Sequence, residues 1–188
     1  MDSAEPLRAI LRAMDMRRLT ARRICLATGE VSLHAPNGDA GFLVDGENLI
    51  EVFGPAWRLV LIGAGQLSRF VAQMAQALDY EVIVCDPREE YAVSWHTTDA
   101  VLDTRSPDDA VCALARDARS AVIALTHEPK LDDLALMEAL VSPAFYVGAL
   151  GSHANNAKRR ARLASLELPQ AAIARLHGPV GLPIGSRT

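Results

Sequence analysis

The chain has 188 residues, half of them apolar and 22% charged, with a net charge of −4 at neutral pH. A chain of that length buries roughly 70% of its unfolded surface, so a full domain with a small appendage forms without disulfides or a structural metal. The weak charge gives no bulk electrostatic reason for a nucleic-acid or membrane partner, and neither is expected. Three scattered cysteines, Cys25, Cys85 and Cys112, contain no CxxC pair and point to a reducing, cytoplasmic compartment. No basic segment followed by an apolar one opens the chain, and no apolar run nears the ~18 residues of a membrane span.

From Pro6 to Arg18, Leu7, Ile10, Leu11 and Met14 recur at helical spacing and predict a short amphipathic helix. The runs 24–28, 41–44 and 49–53 follow, separated by turn signals at Thr28-Gly29, Asn37-Gly38 and Asp45-Gly46. They predict a small antiparallel β unit. Gly54-Pro55-Ala56 separates this unit, residues 1–56, from residues 57–188. Five further runs, 59–62, 82–85, 100–102, 121–125 and 145–147, are apolar throughout, as strands buried on both faces require. Helical segments lie between them, which predicts a parallel, doubly wound α/β sheet of Rossmann type, ordered 3-2-1-4-5. In the first such helix Leu67, Phe70, Val71, Met74, Ala75 and Leu78 form one apolar stripe.

The first strand runs into Gly63-Ala64-Gly65-Gln66-Leu67-Ser68. In a dinucleotide fingerprint the first glycine makes the turn, the second admits a pyrophosphate, and the third lets the helix pack closely. Gly63 and Gly65 fill the first two places and Ser68 the third. Asp86, at the end of the second strand, matches the acidic residue that binds a ribose hydroxyl. Arg88 would instead neutralise a 2′-phosphate or cover an adenine, and the alternative for Asp86-Pro87-Arg88 is a simple turn cap. Thr126 and His127 follow the fourth strand, where the order reverses, which places them beside the glycine turn. Gly151 and Ser152 follow the fifth, with Ser152 as a helix N-cap and a second anion contact. Lys158, Arg159, Arg160 and Arg162 are expected on a solvated helix face, above an inner stripe of Ala154, Ala157 and Ala161, with an acidic partner as the alternative. His127, His153 and His177 share no ligand-like spacing, so no metal site is expected.

Together Leu59–Gly65, Asp86-Pro87-Arg88, Leu125–Asp132, Tyr146–Ser152 and Leu176–Gly185 resemble the carboxyl-terminal Rossmann domain of the XdhC/CoxF family, the xanthine dehydrogenase and carbon monoxide dehydrogenase accessory proteins. The resemblance implies a maturation chaperone more than a turnover enzyme. It implies binding of the molybdenum cofactor (molybdopterin), a molybdenum hydroxylase apoenzyme as partner, and a cysteine desulfurase as a second partner; a homodimer stays open. Its cofactor-binding residues would be Gly63, Ala64, Gly65, Gln66, Leu67, Asp86, Arg88, Thr126, His127, Gly151 and Ser152. The chain departs from the family at Gln66, where a histidine is usual, and at Glu128, where an aspartate is usual. It also lacks the family's amino-terminal cysteine segment and the helical continuation after Thr188, so it reads as a short variant or a piece of a longer protein. Two other functions stay open: an NAD(P)-dependent oxidoreductase with His127 as general acid or base, and a ligand-free interaction subunit.

Overall fold

The computed structural model describes residues 4–36, 41–95, 100–182 and 184. The expected Asn37-Gly38 turn lies outside them, as do Pro183 and Gly185 of the carboxyl-terminal motif. The chain divides into two compact units, residues 1–55 and 56–188.

In the first unit, helix α1 (Glu5–Asp15) carries Pro6 in its first turn, where the missing N–H costs nothing. It packs on β1 (Thr20–Cys25) and β2 (Val31–His34), with Ile10 and Ala21 buried. With β3 (Phe42–Val44) and β4 (Asn48–Phe53) these strands form an antiparallel sheet ordered β2-β1-β4-β3. The sequence places the first strand at 24–28 and omits the second; instead β1 begins at Thr20, and residues 26–28 make the turn into β2. A search for continuous apolar runs misses Thr20–Arg23 because this sheet is half exposed and its residues alternate. Arg22 stands opposite Glu51 on β4 and pairs with it across the strands.

The second unit is a six-stranded parallel sheet built from β5 (Arg58–Ile62), β6 (Glu81–Cys85), β7 (Val101–Asp103), β8 (Ser120–Ala124), β9 (Tyr146–Ala149) and β10 (Leu176–His177). Its order is β10-β9-β8-β5-β6-β7. The expected 3-2-1-4-5 arrangement is present, extended by β10. Alternate residues feed two cores. Val60, Ile62, Val122, Ala124, Val147 and Ala149 face α4 (Pro107–Leu114), α5 (Pro129–Val141), α6 (His153–Ser165) and α7 (Gln170–Ile173). Leu59, Leu61, Val82 and Val84 face α2 (Gln66–Gln76) and Trp95, which follows the short α3 (Glu89–Ser94). The order in which strands are added reverses between β5 and β8, which run parallel, so the carboxyl ends of those strands form the crevice where ligands bind in open α/β sheets.

Two helices depart from the facing expected from the sequence, α2 in part and α6 fully. α2 buries Ser68, Ala72 and Ala75; of the expected stripe Ala75 and Val71 do meet the core, while Leu67, Phe70, Met74 and Leu78 are exposed. The small side chains at 68, 72 and 75 lie between the helix and the sheet, and four larger ones are left on its outer face. α6 buries Asn156, Arg159 and Leu163, and its Ala154, Ala157 and Ala161 point outward. Both buried sets also recur at steps of three and four, so periodicity identifies the helices without selecting the inner face. Replacing Ala72, which is fully buried, with leucine will overpack this interface and cost about 1–3 kcal/mol, read as a lower urea midpoint. Phe70→Gln on the exposed face will change stability by no more than about 0.5 kcal/mol.

Candidate functional site

The glycine turn begins where β5 ends. Gly63 has φ 103, its amide donates to the Cys85 carbonyl at 2.8 Å, and a Cβ there would stand 2.7 Å from Cγ2 of Thr126. Glycine is therefore needed both for the backbone conformation and for contact between the β5 and β8 tips. Gly65 differs: its backbone is extended, with φ −82, and a Cβ would meet nothing within 4 Å. The fold itself does not require glycine at this position. What the missing side chain leaves is open space before the first amides of α2, which have no partner within the helix and carry its positive dipole end. Gln66 and Leu67 are exposed at this opening. Ser68, in the third glycine position, turns inward and its hydroxyl donates to the Gly63 carbonyl.

Asp86 is fully buried beside this turn. Its Oδ2 accepts from the Ala64 amide at 2.8 Å and from Arg88 Nη2 at 2.7 Å. Its Oδ1 accepts from the Arg88 amide at 3.1 Å and from Nε at 2.8 Å. Four donors thus take the roughly four acceptor positions of a carboxylate, and none is left for a ribose hydroxyl. The turn-cap alternative describes this stretch. Burial alone would push the Asp86 carboxyl up, but the Arg88 and Ala64 hydrogen bonds hold it below the usual carboxylate range. Arg88 also lies 3.9 Å from the Tyr91 ring centroid and 3.7 Å from Glu128, which ties the β6 tip to the β8 tip.

On the other side of the β8 tip lies a cleft of about 600 Å³, lined by His127, Gly151, Asn155, Lys158, Arg159 and Arg162 over a floor of Thr126 and Asp132. The floor is a buried polar chain. The Thr126 hydroxyl donates to Asp132 Oδ1 at 2.7 Å, and Arg159 Nη2 donates to Asp132 Oδ2 at 2.7 Å. Arg159 Nη1 donates to the Leu150 carbonyl at 3.0 Å and to Asn156 Oδ1 at 2.7 Å. Asn156 Nδ2 donates in turn to the Gly151 and Ser152 carbonyls at 3.0 and 3.2 Å. Burial raises the Asp132 carboxyl above its ordinary range even against the Thr126 hydrogen bond and the Arg159 cation. Gly151, at φ 128, supplies the left-handed bend before α6. Ser152 then caps that helix, its Oγ accepting from the Asn155 amide at 3.2 Å.

The expected site residues therefore fall into two groups that meet at Thr126. Gly63, Ala64, Gly65, Gln66, Leu67, Asp86 and Arg88 surround the glycine turn; His127 and Gly151 line the cleft, and Ser152 caps the helix beside it. The basic run is not a solvated face. Arg159 is buried, Arg160 donates to the Leu176 carbonyl at 2.8 Å, and Arg162 pairs with Asp133 at 2.6 Å, which leaves Lys158 exposed. Sequence reasoning missed Asp132, Asn155 and Asn156 as parts of the site. Asn156, Arg159 and Leu163 do share one helical face, but Ala154, Ala157 and Ala161 share another, so spacing alone gives no signal for choosing between them. Among the described residues, no group of three or more His, Cys, Asp or Glu side chains is placed to hold a metal ion. His177 stacks on Tyr146 at 4.7 Å. Burial pushes the Cys85 thiol up to about 12, so it stays protonated at neutral pH. No helix among the described residues is long and apolar enough to cross a membrane.

Residues 59–188 match the XdhC Rossmann domain. Over 141 residues the chain is 33% identical to the uncharacterized protein YqeB of Escherichia coli K12, a match that covers 74% of this chain and 26% of that protein. A Bacillus halodurans protein whose crystal structure is described as that of a xanthine dehydrogenase shares the fold, with a TM-score of 0.71 at 20% identity. The similarity covers 97% of this chain and 61% of that one. The chain thus spans about a quarter of the first relative and three fifths of the second.

Asp86 gives the site a pH signature. Because its folded pKa lies below the unfolded value of about 3.9, the stability it contributes is present above that value and is lost as pH falls through the lower folded one. Unfolding free energies of wild type and Asp86→Asn, measured by urea from pH 7 to pH 2.5, will differ most at the upper end and converge toward the lower.

Proposed function

Because the chain belongs to the XdhC family, through a Rossmann domain taking in residues 59–188, we propose that it serves as an accessory maturation factor for a molybdenum hydroxylase of xanthine dehydrogenase type. On this reading the Rossmann domain holds the molybdenum cofactor, a phosphorylated pterin, across the carboxyl edge of β5 and β8. The apo-hydroxylase receives the cofactor, and a cysteine desulfurase is the second partner. The observation that carries the reading is the open space in front of Gly65, where the backbone amides opening α2 face outward next to the Thr126-His127 tip. Gly65, Gln66 and Leu67 bring backbone donors to the ligand, and His127 faces it from the cleft side. The residues fit a phosphate-bearing organic group; among those described, no side-chain cluster is placed to ligate its metal. When bound, the cofactor supplies the molybdenum centre, and the chain's own part is to bind, orient and shield it. A dinucleotide fits less well, since the buried Asp86 already accepts four hydrogen bonds and offers none to a ribose.

Equilibrium binding of isolated molybdenum cofactor tests the reading. Wild type will bind it, and Gly65→Asp, which places a carboxylate in the open space without disturbing the extended backbone, will bind at least about tenfold more weakly. Failure of the wild-type chain to bind, or equal binding by the variant, would overturn it.

A further inference from the structure

We infer that the phosphate of the bound ligand sits not at the glycine turn but in the cleft beside α6, which is built to take a phosphate monoester dianion. The inference rests on the cofactor reading only for the identity of the group attached to that phosphate. At the glycine turn the fixed charges oppose a second anion. The Ala64 amide is already taken by the Asp86 carboxylate at 2.8 Å. Arg88 is engaged by Asp86 and lies 3.7 Å from Glu128, and Arg69, on the first turn of α2, is drawn aside to the Ser94 carbonyl and the Trp95 ring, so both cations of this flank are held by protein groups.

The cleft has the opposite balance. Arg159 and Arg162 are matched by Asp132 and Asp133, so the floor is neutral. Lys158 lines the wall and makes no ion pair among the described residues. α6 is 13 residues long, and its amino-terminal end adds about half a positive charge. Ser152 satisfies the Asn155 amide, while the His153 and Ala154 amides precede any intrahelical acceptor and stay available. A second, independent feature points the same way: Arg159, only 6% exposed, keeps a buried Nε without a hydrogen-bond partner, 3.8 Å from Asp133. An unmatched buried donor of this kind is costly unless something accepts from it. The volume of about 600 Å³ exceeds what a phosphate alone needs and lies within the range of small-molecule sites, which leaves room for an attached group.

Amide-resolved NMR titration of the full chain with inorganic phosphate, glycerol 3-phosphate and glycerol tests the assignment. Both phosphates are expected to produce saturable shifts at His153–Asn155 and Lys158, and glycerol none. Lys158→Glu will weaken phosphate at least about tenfold and Lys158→Ala by less, whereas Gly65→Asp will titrate as wild type does. Saturable shifts at Gln66–Ser68 instead, no saturable shift, response to inorganic phosphate alone, or a Lys158→Glu variant that titrates normally would overturn it. The two readings fail separately. Phosphate saturating the cleft in a chain that binds no cofactor removes the cofactor reading and leaves the seat. Cofactor binding that is lost in Gly65→Asp but unchanged in Lys158→Glu does the reverse.

Discussion

The carboxyl edge of the sheet is organised by one buried ion pair, Asp132 with Arg159, joined at 2.7 Å and both almost fully buried. Asp132 opens α5 and holds the Thr126 hydroxyl at the end of β8; Arg159 projects from α6 and holds the Leu150 carbonyl after β9. Through Asn156 the same chain reaches the Gly151 and Ser152 carbonyls. Loops that begin at neighbouring strands are thereby locked by hydrogen bonds rather than by apolar packing. Burial raises the Asp132 carboxyl despite its partners, so desolvation outweighs what the partners return. The pair's contribution is one of position more than of net stability.

That constraint explains the division of labour along the edge. Asp86 with Arg88 seals one flank, consuming a carboxylate and a guanidinium on each other. Asp132 with Arg159 braces the other flank and leaves Lys158 and the start of α6 facing a cleft. Between them Gly63 and Thr126 touch, and Gly65 leaves the approach to α2 open. A phosphorylated ligand spanning this edge would meet backbone amides on one side and a cationic cleft on the other, without a contact to Asp86.

The parallel sheet was legible because strands buried on both faces are apolar at every position, and the glycine turn because it follows such a strand. Facing was not legible. The alanines of α6 look like a core stripe, yet Asn156 and Arg159 turn inward because the loop carbonyls and Asp132 beneath them need donors, a demand that no local pattern carries. In α2 the buried face takes Ser68 and Ala72 together with Ala75 and Val71 of the expected stripe, and leaves the four larger members outside. The pairing of Asp132 with Arg159 spans elements remote in sequence and leaves no trace in spacing. Asp86 illustrates the opposite case: its position in the motif was clear, but its role depended on Arg88, two residues away, folding back onto it.

The most direct measurement is a double-mutant cycle on Asp132→Asn and Arg159→Met, with unfolding free energies read from urea titrations at neutral pH. Each single change leaves a buried partner uncompensated and should cost about 3–5 kcal/mol. The double variant should then be more stable than the sum of the two losses predicts, with a coupling of at least about 1 kcal/mol. Additive losses, agreeing within about 0.5 kcal/mol, would show that the two groups do not depend on each other and would contradict the account.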